Sequence, residues 1–246
     1  MKPEIFSTPQ ALGEAAANYV SQVSARAVTE RGRFYVALSG GSLPKLLGPP
    51  LAAQPRRSQI EWSAWHVFWA DERCVPLAHA ESNYRLAREY LFEQVPIPPD
   101  QIYAIDDTLP PGPAAEAYQG LLRQLFQPGP GEIPRFDLIL LGMGEDGHTA
   151  SLFPGHPLLT ETERWVAPIS DSPKPPPERI TLTLPLINQA RQIAILAAGP
   201  GKAAALSQIF GPTAGDPTLP VQLVHPAAEG ELVWFVDRAA ALQLNR

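Results

Sequence analysis

Polar and apolar positions along the chain divide it into two kinds of segment. Four short runs, 33–38, 65–70, 137–141 and 192–198, are rich in Val, Ile, Leu, Phe and Trp with no polar alternation, and each stops abruptly at small or charged residues. Continuous apolar runs of this length read as strands covered on both faces, the mark of a parallel sheet. Between them lie stretches with helix punctuation. Thr8-Pro9 supplies a capping hydroxyl and a proline at the first helical position, and 11–31 then runs to a closing Gly32. Further helices are expected at 43–53, at 83–92 behind Ser82 or Asn83, at 114–126 ahead of the Pro-Gly breaks at 128–131, and at 203–209, with a helical turn at 185–190. Segments 180–184, 220–224 and 232–236 read as further strands, and 96–113 as a Pro- and Asp-rich surface connection with one strand-like piece at 101–105. No internal repeat or linker divides the chain. The pattern predicts one α/β domain over 1–246, Rossmann-like, with a mainly parallel twisted sheet and helices on both faces.

In open parallel sheets ligands sit beyond the carboxyl ends of the strands, so the residues that follow each run carry the candidate chemistry. After 137–141 come Gly142, Gly144 and Gly147, which let the backbone turn tightly, and within them Asp146 and His148. Residues 142–147 match a dinucleotide-binding glycine fingerprint literally. That fingerprint needs a long helix directly behind it, and Pro154, Gly155 and Pro157 leave room for about two turns. A plain turn, with Asp146 capping a short helix and His148 solvated, is the other reading of these residues alone. Behind 33–38, Ser39-Gly40-Gly41-Ser42 opens a helix, and a small-residue loop at a helix N-terminus is an anion cradle. Its spacing is not that of a Walker loop. Behind 65–70 stand Asp71, Glu72 and Arg73, either a site or a solvated rim, with Glu72 more readily the rim charge. Lys202 occupies the first turn of a helix, where the dipole disfavours a cation unless an anion sits between them. The stiff stretch 170–177 either borders the site or is surface, and Arg179 follows it.

Composition narrows the function classes. The 246 residues include 45% hydrophobic and 18% charged residues and carry a formal net charge of -6. That balance argues against nucleic-acid and anionic-membrane partners, so an anionic ligand must be held by local cations. The single cysteine, Cys74, excludes an internal disulfide framework, has no His or second Cys beside it, and suits a reducing compartment. With no signal-like start and no apolar stretch long enough to span a bilayer, the expected location is the cytoplasm. His66, His79, His156 and His225 have no second chemical group at useful spacing, and Asp146, His148 and His156 do not form a metal-ligand spacing, so no metal is expected.

Taken in order, Ser39-Gly40-Gly41-Ser42 with Pro44-Lys45, Asp71-Glu72-Arg73 with Val75-Pro76 and Ser82-Asn83-Tyr84, the stretch 142–154, and Arg179, Thr181, Leu184-Pro185, Asn188 and Lys202 resemble the 6-phosphogluconolactonase family, relatives of the glucosamine-6-phosphate isomerase/deaminases. The resemblance covers nearly the whole chain. One departure is Leu43, where that family commonly has threonine, which removes a hydroxyl from the loop. The resemblance implies hydrolysis of 6-phospho-D-glucono-1,5-lactone to 6-phosphogluconate, a step of the oxidative pentose phosphate route, with no cofactor. A lactone ester needs an activated water, a base of near-neutral pKa and donors facing the oxyanion. His148 is accordingly assigned as general base, oriented by Asp146. Arg73, Arg179 and Lys202 with the loop Ser39, Gly40, Gly41 and Ser42 are the candidates for the phosphate, and Arg73 alternatively for the oxyanion. Asp71 is expected to hold Arg73 or a substrate hydroxyl. Two other readings stay open: the isomerase/deaminase, and a sugar-phosphate sensor without catalysis. In the deaminase relatives a glutamate precedes the proline where this chain has Phe153, and a tyrosine usually stands at Arg73. Nothing in the sequence separates a monomer from a dimer.

Overall fold

The computed structural model describes residues 2–211, 218–227 and 229–244. Six parallel strands form the main sheet: β1 (Glu4–Phe6), β2 (Phe34–Leu38), β3 (Trp65–Trp69), β5 (Leu138–Gly142), β8 (Gln192–Ala197) and β9 (Glu231–Asp237), in the spatial order β1-β9-β8-β5-β2-β3. Each run expected to be covered on both faces is so: every residue of β2 is buried, as are Leu138–Leu141 of β5 and all but the first residue of β8. Chain order runs outward from β2 to β3 on one side and from β5 through β8 to β9 on the other, which places the reversal between β2 and β5. Ligand crevices form at such reversals.

Helices flank the sheet. The first, α1 (Pro9–Arg31), begins where Thr8 Oγ1 accepts from Ala11 N at 3.1 Å and ends where Gly32, at φ 69°, turns its N–H back to the Val28 carbonyl. It packs on α2 (Leu43–Ala52) and across β9, β2 and β8. Next come α3 (Arg56–Gln59) and α4 (Asn83–Ala87), the latter capped by Ser82 and continued by a π-type turn to Phe92, then α5 (Pro111–Phe126), α6 (Leu184–Ile187) and α7 (Ala203–Phe210). One contiguous apolar cluster joins these elements, with Trp65, Trp69, Phe34, Phe68 and Phe136 among its largest buried side chains.

Several sequence expectations are corrected. Asp71–Arg73 is not a loop at a strand end but a strand, β4, in a second sheet of order β4-β7-β6 with β6 (Val166–Ile169) and β7 (Arg179–Leu182), paired antiparallel. Segment 220–224 is a 3₁₀ turn over Pro220–Leu223, because Gln222 Oε1 accepts from Thr218 N and Leu219 N and ties the segment into a turn, while Val221 N reaches the Gly147 carbonyl. At 101–105 the chain makes a single bridge from Ile102 to Val67. Behind β5 there is no helix for Asp146 to cap; 145–151 is a turn, held by Gly144 N–H to the His148 carbonyl at 2.8 Å.

Candidate active site

Five chain segments meet at the carboxyl ends of β2, β5 and β8 and enclose a cleft of about 260 Å³. From β2 comes Ser39-Gly40-Gly41-Ser42, running into the N-terminus of α2; from β5 Met143, Gly144, Glu145 and His148; from β4 Asp71 and Arg73; and from the far side Lys174, Arg179 and Lys202. The expected site residues are therefore brought together, apart from Asp146, which reaches the cleft through His148.

Behind the His148 ring, Asp146 Oδ1 and His148 Nδ1 lie 2.5 Å apart. The contact exists because residue 144 is glycine: a Cβ there would overlap both the His148 ring and the Asp146 carboxylate. Burial pushes the His148 pKa below its ordinary value, and the nearby Lys174 ammonium adds to this, outweighing the Asp146 carboxylate. The imidazole is thus neutral near pH 7, donating from Nδ1 to Asp146 and leaving Nε2 free as a base. Partial burial alone would raise the Asp146 carboxyl, but the hydrogen bonds from His148 and the charge of Lys174 hold it below the usual carboxylate range. Phe153 packs its ring against His148 with centroids 4.7 Å apart, so the position expected to distinguish a second carboxylate presents an apolar face to the imidazole.

Asp71 is buried and accepts from Ser151 Oγ at 2.8 Å. Of the two expected roles, holding Arg73 is not seen: the ionic neighbour of Asp71 is Arg179, at 4.0 Å. Arg73 instead turns toward the Glu81 carbonyl and lies 3.8 Å from the Glu81 carboxylate. Glu72 is the larger surprise. It is fully buried and accepts from the backbone N–H groups of Arg73, Asn83 and Tyr84 at 2.7–2.8 Å and from Ser82 Oγ at 3.1 Å. Burial pushes its carboxyl up to about 7 against the pull of these donors. It is a clamp between β4 and α4, not a rim charge. The same clamp seats Asn83, whose carboxamide donates to the Asp71 carbonyl and fills the space a Cβ on Gly40 would need.

Arg179 is 3% exposed and donates to the carbonyls of Lys174, Pro175 and Pro176 and to Ser151 Oγ. Most of its fork is committed to the proline-rich loop. That loop delivers Lys174, 3.5 Å from Asp146, a cation absent from the expected site. The available signal was slight: Lys174 is the one charge in the stretch 172–177. Burial lowers the Lys202 pKa, Glu145 opposes this, and Lys174 lowers it further, so two ammonium groups are held within reach of one another at the cleft. Cys74 is half-buried, its thiol pushed up to about 11 by burial, which fits its reading as a small apolar residue.

The crevice lies at the reversal of a parallel sheet and gathers one imidazole with Arg73, Lys174, Arg179 and Lys202, the arrangement of an α/β protein with a ligand site at its strand ends. The chain belongs to the family described as glucosamine-6-phosphate isomerases/6-phosphogluconolactonase, which matches residues 7–234. It is 50% identical over 248 residues to a probable chloroplastic 6-phosphogluconolactonase of Oryza sativa subsp. indica, covering 98% of this chain and 75% of the relative. To the 6-phosphogluconolactonase of Rattus norvegicus it is 48% identical over 243 residues, covering 98% and 93%. The solved 6-phosphogluconolactonase of Trypanosoma brucei superposes with a TM-score of 0.84 at 31% identity, covering 99% of each chain.

Proposed function

We propose that the protein hydrolyses 6-phospho-D-glucono-1,5-lactone to 6-phosphogluconate, in the oxidative pentose phosphate route, by general-base activation of water. The observation that carries this reading is the 2.5 Å Asp146–His148 contact, with the ring neutral at pH 7. Nε2 takes a proton from water as the oxygen attacks the lactone carbonyl. The tetrahedral oxyanion collapses by breaking the ring ester C–O bond, and the departing ring oxygen receives the proton from the imidazolium, which Asp146 stabilises while it lasts. Arg73, Lys174 and Lys202, together with the N–H groups of Gly40 and Gly41, divide the substrate phosphate and the oxyanion between them; in this proposal Arg179 acts by holding the loop that carries Lys174. The 6-phosphogluconolactonase names of the relatives support the substrate. The compartment proposed is a reducing one, the cytoplasm, although the rice relative's name assigns that protein to the chloroplast.

Isomerisation and deamination of a sugar phosphate need a further carboxylate beside the histidine, and Phe153 occupies that face. The test is direct: purified protein supplied with freshly generated lactone accelerates acid release above the spontaneous rate, and supplied with glucosamine 6-phosphate releases no ammonia. Ammonia release exceeding lactone turnover overturns the proposal, and binding of 6-phosphogluconate without acceleration points to a sensor.

A further inference from the structure

At the opposite end of the main sheet four guanidinium groups converge. Arg31 closes α1, Arg33 precedes β2, Arg135 lies shortly before β5 and Arg191 immediately before β8, and these three strands are neighbours in the order β8-β5-β2. With Tyr35, Phe126, Glu132 and Asp137 they line a cavity of about 230 Å³, close in size to the cleft at the carboxyl ends.

The two carboxylates that line the cavity do not account for four arginines. Asp137 is buried and committed: Oδ2 accepts from Tyr35 N at 2.8 Å, and Oδ1 accepts from Arg31 Nε at 2.9 Å and faces Arg191 Nε at 3.5 Å. Glu132 turns its carboxylate to the Gly129 N–H. The remaining partners are Glu30 beside Arg31 and Glu229 at 3.5 Å from Arg135, 51% and 83% exposed. Pairs that exposed are weak and yield readily to a better anion. Among the described residues Arg33 has no carboxylate partner and lies over the Tyr35 ring at 4.9 Å. The Nε atoms of Arg135 and Arg191 are buried without a hydrogen bond. In a chain of net charge -6, the lining of this cavity sets four arginines against two carboxylates, Glu132 and Asp137.

We propose that this cavity is a second anion site, for a compact molecule carrying two linked phosphates, of the class of pyrophosphate and organic diphosphates. Planar guanidinium forks match phosphate oxygens two at a time, and the four side chains lining the cavity outnumber its two carboxylates by two positive charges. The inference is independent of the reaction assigned to the other end of the sheet.

The test is calorimetric titration with inorganic pyrophosphate at fixed ionic strength. The expected result is a saturable event with a Kd of about 1 mM or tighter, in addition to any binding at the front cleft. It persists in Lys174→Ala/Lys202→Ala, which disables the front cleft, weakens at least tenfold in Arg33→Gln/Arg135→Gln, and is at least tenfold weaker for orthophosphate. Neither Arg33 nor Arg135 holds Asp137, so the Asp137 contacts of β2 survive and lactone turnover is expected unchanged. The single variant Arg33→Gln, at an exposed residue, provides the same reading with a severalfold weakening should the double variant fail to fold. Absence of saturation, loss of binding in the lysine variant with retention in the arginine variant, or an equal response to sulfate each overturns the proposal.

Discussion

Gly144→Ala separates the Asp146–His148 pair without touching either side chain chemically. The new Cβ would fall inside the space shared by His148 Nδ1 and Asp146 Oδ1, so both side chains must swing away and their 2.5 Å contact is lost. The backbone at 144 is not left-handed, so alanine is tolerated there and the cost is steric. Overpacking of this kind costs about 1–3 kcal/mol, within the roughly 5–15 kcal/mol that holds a domain folded. The fold therefore survives while the base loses its orientation, and a displacement of about 1 Å at a catalytic group lowers turnover on the order of 10²-fold. The assay couples lactone formation to oxidation of 6-phosphogluconate, with an enzyme-free baseline subtracted because the lactone opens spontaneously. Circular dichroism on the same preparation confirms the fold. A folded Gly144→Ala protein with kcat within a few-fold of wild type refutes the assignment of the Asp146–His148 pair.

Gly120→Ala, in the exposed face of α5 with nothing near its added Cβ, is expected to stabilise by about 1 kcal/mol in thermal melting. Glu72→Gln places an amide NH₂ against backbone N–H groups and costs about 1–3 kcal/mol. Because the folded carboxyl of Glu72 titrates near about 7, above its ordinary 4.5, the folded state binds more protons and wild-type stability falls as pH rises through that window, by about 3 kcal/mol. The gap between wild type and Glu72→Gln in denaturant melts should shrink accordingly from pH 5 to pH 7; a constant gap contradicts it. Lys174→Ala is expected to weaken kcat/KM about tenfold or more, the loss of one charge-assisted contact, and unchanged kinetics would remove Lys174 from the site.

The central sheet was readable because two-sided burial leaves unbroken apolar runs, as in 137–141 and 192–198, and no other local structure of that length calls for them. The second sheet was not. Its strand β4 is three charged residues, and β6 carries Pro168, so neither shows the composition by which strands are recognised. Segment 220–224 misled in the opposite sense: its Val and Leu content suits a strand, but the side chain of Gln222 closes it into a turn. The histidine–aspartate pair could be found because it is local, two residues apart behind a glycine turn. Glu72 was misjudged because what surrounds it is non-local: the backbone N–H groups of Asn83 and Tyr84, on the next helix, clamp its carboxylate. The hold of the proline-rich loop on Arg179 was not legible either, although the carbonyls lie just before it in the chain. A charge in a sequence does not reveal whether it will be solvated or clamped.

If a neutral His148 removes the proton from water, the pH profile of kcat/KM for the lactone must carry its titration. Since burial sets the His148 pKa below its ordinary 6.5, activity should be on its plateau at pH 7 and fall with one proton on the acid side, at a midpoint below 6.5. His148→Ala should abolish that limb and lower kcat on the order of 10²- to 10⁴-fold with folding unchanged. A profile flat through this range, or a His148→Ala protein that keeps both its rate and its acid limb, contradicts the claim.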